Sequence, residues 1–153
     1  SMYLSLLVIS TVLITAGGNI INDYYDLKAD EINKPSKVII SKNISKELSL
    51  RIYILLNLLA LSLGFYLSFI FETFWFAGIH TLCILLLWLY SIYLKKILLL
   101  GNLLIAGLTG LIPLYAASLY SFGPMLNIYS RENPKEWHDS FYFEFVIILA
   151  VFA

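Results

Sequence analysis

A row of carboxylate and carboxamide side chains follows directly after an apolar run near the start of the sequence. Its members are Asn19, Asn22, Asp23, Asp26 and Asp30, here called the acidic row. Written as a helix, they occupy positions i, i+3, i+4, i+7 and i+11, a spacing that puts all of them on one face. Three carboxylates on one face repel each other, and the repulsion grows as water is excluded. We therefore expect a cation to compensate them.

The chemistry of the row indicates which cation this is. Carboxylate and amide oxygens are hard ligands, and Mg²⁺ binds through one or two carboxylates together with the phosphates of a substrate. The row therefore predicts a site for Mg²⁺ and a diphosphate at the end of a membrane helix.

The composition indicates a membrane protein. Hydrophobic residues make up 60% of the 153 residues and charged residues 13%, and the mean hydropathy is +0.84. Soluble domains carry about 25% charged residues. The net charge is zero, so no overall field favours nucleic acid. We predict an all-α, polytopic transmembrane bundle in which residues 1–153 form one membrane-embedded domain.

Four apolar stretches have the roughly 20 residues needed to cross a bilayer. They cover residues 2–21, 52–71, 74–94 and 99–122. Glu72 and Thr73 leave only a short turn, so the second and third stretches should form an antiparallel hairpin. The final apolar run, residues 141–153, is too short to span and indicates the start of a fifth helix. We therefore expect the chain to be a piece of a longer protein.

Local signals set the helix ends. Pro35 should end the helix that carries the acidic row, because the residue before a proline is pushed out of α geometry. Ser45 is a typical N-cap for the next helix. Gly17 and Gly18 favour either close helix contact or a bend, and the sequence does not distinguish the two.

Eight of the ten Lys and Arg residues lie in the segments after the first and third spans. The positive-inside rule then places the acidic row, Lys95 and Lys96 together on the cytoplasmic side. Two polar clusters from different loops should thus converge on one end of the bundle.

The segment Asn22-Asp23-Tyr24-Tyr25-Asp26-Leu27-Lys28-Ala29-Asp30 resembles the NDxxDxxxD motif of UbiA-type intramembrane prenyltransferases. The following Asn33-Lys34-Pro35 is similar to that family's continuation. Residues 90–96 and Leu100-Gly101-Asn102 resemble its later segment of Tyr and Lys. The resemblance covers nearly the whole chain.

The resemblance implies a helical fold around a central cavity open to lipid. It implies Mg²⁺-dependent transfer of a prenyl group from a prenyl diphosphate to a lipophilic acceptor. The implied ligands of Mg²⁺ and the diphosphate are Asn22, Asp23, Asp26 and Asp30. Further substrate-binding residues are Asn19, Lys34, Lys37 and Lys95, and Tyr90 would face the prenyl chain.

The chemistry of an allylic diphosphate agrees with these roles. Its ionisation places negative charge on the leaving group, which metal ions and lysines stabilise. Positive charge develops on carbon, which an aromatic face stabilises. Tyr90 and Tyr93 are the candidates for that face.

Within the family, the opening of the motif looks most like enzymes that attach a second geranylgeranyl chain to geranylgeranylglyceryl phosphate. We therefore expect an integral protein of a prokaryotic cell membrane. Quinone-precursor, haem and chlorophyll prenylation stay open as alternatives. The family's first helix and its second Asp-rich motif are missing from these 153 residues. We therefore expect the 153 residues to be inactive alone.

Two other classes of protein fit the same residues. An ion-coupled transporter or channel subunit would use the acidic row as a cation site along an aqueous path. A non-catalytic membrane scaffold would fold without metal and bind no diphosphate. The sequence leaves the oligomeric state open.

Overall fold

The computed structural model describes residues 2–36 and 38–122, together with their side chains except at residues 98 and 113–122. The elements are α1 (Met2–Asn33), α2 (Lys46–Ile70), α3 (Trp75–Ile92), a 3-10 turn (Leu94–Lys96) and α4 (Leu98–Phe122). All are helical, which confirms the predicted all-α class. Lys37 and the predicted start of a fifth helix, residues 141–153, lie outside the described residues.

Helix α1 joins the first apolar stretch and the acidic row in one unbroken helix. It has 32 residues, and at 1.5 Å per residue it is about 48 Å long. The hydrocarbon core of a bilayer is about 30 Å thick. α1 ends at Asn33, two residues before Pro35, as the proline predicts.

The segment after α1 folds back onto the end of that helix. Val38 and Ile40 are buried together with Leu27 of α1, and Tyr24 packs against the three. The next helix then begins at the predicted cap, because the Ser45 hydroxyl accepts a hydrogen bond from the Leu48 N–H at 3.1 Å. The end of α1 that carries the acidic row is therefore held by its own connecting loop.

Helices α1, α2 and α3 pack through glycines. A Cβ added at Gly17 would lie 3.0 Å from the Asn57 amide of α2, and one at Gly18 would lie 3.0 Å from Leu87 of α3. Both glycines therefore serve close helix contact, and α1 continues unbroken through them.

The predicted hairpin of α2 and α3 is present. The Ser68 hydroxyl of α2 accepts a hydrogen bond from the Ala77 N–H of α3 at 2.8 Å, and Gly64 lies against the buried His80 ring. These contacts pair residues progressively further from the turn on both helices, so the helices run antiparallel.

A buried apolar cluster lies at the end of the bundle opposite the acidic row, here called the far cluster. Its members are Leu4, Leu7, Leu67, Phe71 and Phe76. The rings of Tyr3 and Phe71 meet edge to face, 5.3 Å between centroids. Ile79 of α3 and Ile112 of α4 also pack against it, so the far cluster ties all four helices together.

Three described helices are long and apolar enough to span a membrane: α1, α2 and α3. The part of α4 whose side chains are described, Leu99–Ile112, is a shorter apolar helix. Helix α3 ends at Ile92, two residues before the predicted position, because the chain tightens there into the 3-10 turn. That turn positions the lysine described next.

Candidate active site

Lys95 links the 3-10 turn to the middle of the acidic row. Its ammonium donates hydrogen bonds to Asp26 Oδ1 at 2.6 Å and to Asn22 Oδ1 at 3.2 Å. Asn22 and Asp26 are four residues apart on α1, so one cation can reach both oxygens. The side chains of Lys95 and Asp26 are 15% and 32% exposed. A charge-assisted hydrogen bond this short and this covered is among the stronger polar contacts in proteins.

The other members of the row lie on the same face of α1 but outside this contact. Among the charges near Asp23, those of Asp30 and Asp26 repel its carboxylate, and that of Lys95 attracts it. Asn19 and Asp30 stand at the two ends of the row, about 16 Å apart along the helix axis at 1.5 Å per residue. Lys95 therefore compensates the centre of the row.

The predicted lysines do not all reach this centre. Lys34 follows directly after α1, where its N–H donates to the Asp30 carbonyl at 2.8 Å, and its side chain is exposed. It is eight residues beyond Asp26, roughly 12 Å along the helix axis. The structure thus brings Lys95 to Asn22 and Asp26 and leaves Lys34 at the end of the row.

A cavity of about 400 Å³ begins beside this contact and runs between α1, α3 and α4. Asn19, Asn22 and Tyr90 line the end next to the acidic row. Thr11, Ile79 and Ile112 line the opposite end. Ile79 and Ile112 also pack against the far cluster, so buried side chains back that end. The cavity is elongated, mostly apolar, and polar near the acidic row.

Sequence reasoning missed several residues of this cavity. Cys83 and Leu87 line it from α3, and Thr11 and Thr15 line it from α1. No motif marks them. Gly101 was visible only as part of the Leu-Gly-Asn segment. A Cβ at Gly101 would lie 3.0 Å from the Leu94 carbonyl and 3.3 Å from the Tyr90 ring, so this glycine lets α4 approach both.

The oxygen atoms of the acidic row can be compared with the ligands that Mg²⁺ requires. Across residues 2–36 and 38–122, no group of three or more His, Cys, Asp or Glu side chains forms a ready metal site. Asn22 and Asp26 nevertheless turn oxygen atoms toward one cation, the Lys95 ammonium. Mg²⁺ needs only one or two protein carboxylates when phosphates complete its shell. The donor set therefore fits Mg²⁺ that arrives together with a diphosphate.

The chain belongs to the UbiA prenyltransferase family, whose sequence model matches residues 2–152. This family membership agrees with the resemblance found in the acidic row and the segment around Tyr90.

Curated relatives are named digeranylgeranylglyceryl phosphate synthase. One from Methanobrevibacter smithii is 39% identical over 74% of this chain and 40% of its own length. One from Sulfolobus acidocaldarius is 40% identical over 78% of this chain and 40% of its own length. One from Methanothermobacter thermautotrophicus is 35% identical over 88% of this chain and 50% of its own length. The chain thus spans two fifths to half of these relatives. No solved structure matches it.

Proposed function

We propose that the protein containing this chain transfers a geranylgeranyl group from geranylgeranyl diphosphate to a glycerophosphate lipid such as geranylgeranylglyceryl phosphate. One observation carries the proposal: Lys95 joins Asn22 and Asp26 at the polar end of an elongated apolar cavity. A prenyl diphosphate has the same division, with a charged head and an apolar chain. Family membership and the names of the relatives support the same reaction class.

The polar end would bind the diphosphate. Asn22 and Asp26 would hold Mg²⁺, with Asp23 and Asp30 adding negative charge on the same face. When bound, the metal neutralises the charge that develops on the leaving diphosphate. Lys95 lies close enough to the row to donate to a phosphate oxygen. Lys34 and Lys37 are proposed as further phosphate-binding residues.

The apolar part of the cavity would hold the prenyl chain. Tyr90 lines the cavity, as Asn22 does, and the carbon bonded to the diphosphate would lie at this end. Its aromatic face can stabilise positive charge on that carbon as the diphosphate leaves. Apolar walls further along exclude water, which would otherwise capture the cation.

The location of the site in the cell belongs to the same proposal. The lysine distribution supports an acidic row on the cytoplasmic side of a prokaryotic cell membrane. A prenyl diphosphate is presented at the membrane surface, because its chain partitions into lipid.

Other functions receive less support. Family membership and the apolar lining of the cavity favour prenyl transfer over an ion-coupled transporter, a channel subunit or a scaffold. The names of the relatives favour a glycerophosphate acceptor over a quinone precursor.

The acceptor can be tested in a competition experiment. The full-length protein in lipid nanodiscs would receive labelled geranylgeranyl diphosphate, Mg²⁺, geranylgeranylglyceryl phosphate and 4-hydroxybenzoate. We expect label in the glycerophosphate product, identified by mass spectrometry, and none when Mg²⁺ is chelated. Label in the aromatic product alone would contradict the proposed acceptor. Absence of transfer to either acceptor would contradict prenyl transfer by this site.

A further inference from the structure

The Lys95 ammonium contacts the same two oxygen atoms that the proposed function gives to Mg²⁺. It lies 2.6 Å from Asp26 Oδ1 and 3.2 Å from Asn22 Oδ1. A divalent ion bonded to these oxygens would be within a few ångströms of the ammonium. Two cations this close repel strongly, the more so in a partly buried site. Lys95 and the metal therefore cannot both hold these positions.

Lys95 is placed so that it can move. It lies in a three-residue turn between α3 and α4, and its charge is carried on a flexible four-carbon stem. Moving it from Asp26 with no replacement would leave the carboxylates of the row uncompensated. The movement therefore needs a new cation at Asp26, and it is more favourable when Lys95 also gains a new anion.

We propose that Lys95 acts as a placeholder cation in the acidic row and exchanges Asp26 for the diphosphate when metal and diphosphate bind together. This inference rests on the proposed function and adds that metal and diphosphate bind cooperatively. Metal alone must displace Lys95 into water and binds weakly. Metal with diphosphate gives Lys95 a new partner and binds tightly. By linkage, diphosphate also binds more tightly when metal is present.

Removal of the Lys95 charge tests the exchange directly. Mn²⁺ in place of Mg²⁺ allows binding to the full-length protein to be followed by electron paramagnetic resonance, with and without inorganic pyrophosphate. We expect Lys95→Met to raise the affinity for Mn²⁺ alone about tenfold, because the competing cation is gone. The gain in Mn²⁺ affinity that pyrophosphate produces should fall by a similar factor.

Lys96→Met is the matched control. Lys96 is exposed, lies in the same 3-10 turn, and carries the same charge. We expect Lys96→Met to change the affinity for Mn²⁺ alone by less than about twofold, since exposed charges are screened by solvent. The gain in Mn²⁺ affinity that pyrophosphate produces should also change by less than about twofold. Equal effects of the two substitutions would overturn the placeholder role, as would an unchanged affinity of Lys95→Met for Mn²⁺ alone.

A second measurement needs no variant and therefore does not depend on the folding of Lys95→Met. Acylation of Lys95 in the wild-type protein can be quantified by mass spectrometry. We expect saturating Mn²⁺ to speed its acylation, since the ammonium leaves Asp26, and added pyrophosphate to slow it again. A rate that does not respond to Mn²⁺ would overturn the exchange.

The two proposals fail in different ways. A wild-type protein that binds no pyrophosphate in the presence of Mn²⁺ would contradict the proposed function. A protein that binds both, with the same coupling in Lys95→Met as in wild type, would contradict only the exchange.

Discussion

Three side chains from two elements meet at the centre of the site. Asn22 and Asp26 come from consecutive turns of α1, and Lys95 comes from the turn after α3. The motif spacing predicts the first two on one face, and the charge distribution predicts Lys95 on the same side of the membrane. The hydrogen bonds themselves could not be predicted, because they depend on how far the 3-10 turn carries Lys95 toward α1.

At the residue scale, a substitution tests the proposed role of the Asp26 carboxylate in prenyl transfer. Asp26→Asn keeps the shape of the side chain and removes the charge that faces Lys95. We expect prenyl transfer by the full-length protein to fall about a hundredfold or more, because one charged ligand contributes on this scale to stabilising a leaving group. Single-turnover transfer of labelled geranylgeranyl diphosphate measures it.

Glu31→Gln is the control for Asp26→Asn. Glu31 is an exposed acid near the end of α1, off the acidic row, and it accepts a hydrogen bond from the Ser41 hydroxyl at 3.4 Å. Its loss should leave transfer within about twofold, as for most surface charges. Similar losses in both variants would mean that general negative charge, and not Asp26, matters.

At the scale of the elements, the sequence predicted the ends of helices better than the contacts between helices. Pro35 and Ser45 act through local backbone geometry, so their effects follow from neighbouring residues alone. The contacts of Gly17 and Gly18 depend on which helix lies opposite. That partner is set by tertiary packing, and the structure was needed to show α2 beside one glycine and α3 beside the other.

The hairpin of α2 and α3 gives a test at this scale. A Cβ at Gly64 would lie 2.8 Å from Cγ of the His80 ring, which is buried and whose Nδ1 lies 2.8 Å from the Phe76 carbonyl oxygen. The ring cannot move aside without disturbing that contact. We expect Gly64→Ala to destabilise the protein by about 1–3 kcal/mol, the usual cost of overpacking. Thermal unfolding in detergent measures the change.

Gly78→Ala is the matched control on the facing helix. A Cβ at Gly78 would meet nothing within 4 Å. Alanine in a helix is favoured over glycine by about 0.5–1 kcal/mol, so this variant should be neutral or stabilised. An unfolding midpoint of Gly64→Ala equal to that of Gly78→Ala would show that the hairpin tolerates a methyl group at its interface.

At the scale of the whole molecule, the family resemblance implied a cavity, but the sequence did not predict which residues line it. A membrane helix is apolar toward lipid and apolar toward a greasy cavity, so hydropathy does not distinguish the two faces. Leu87 lines the cavity and Leu85 is exposed, yet both are leucines of α3. Only the arrangement of α1, α3 and α4 separates them.

The end of the cavity that lies against the far cluster gives a test of how long a prenyl chain the cavity accepts. Ile79 lines that end and is backed by the far cluster. Ile79→Trp adds volume that the packed side chains behind it cannot absorb. We expect transfer from geranylgeranyl diphosphate to fall about tenfold relative to transfer from the shorter farnesyl diphosphate. The ratio of the two kcat/KM values measures this preference.

Leu82→Trp is the control for the cavity end. Leu82 lies on α3, is 48% exposed and does not line the cavity. A tryptophan there should leave the ratio of the two kcat/KM values unchanged. A ratio that also stays unchanged in Ile79→Trp would mean that the prenyl chain does not reach this end of the cavity.

The length of α1 has a consequence for how a substrate reaches the protein. A helix about 48 Å long exceeds a hydrocarbon core of about 30 Å, so the polar end of a membrane-spanning α1 would reach the lipid headgroups. An amphiphile with a buried tail already carries its charged head at that depth. It can enter by lateral diffusion within one leaflet, without crossing water. Encounter rates should then follow the surface density of the substrate in the bilayer. Dilution with inert lipid should slow the proposed prenyl transfer by the full-length protein even when the bulk concentration of the substrate is held constant.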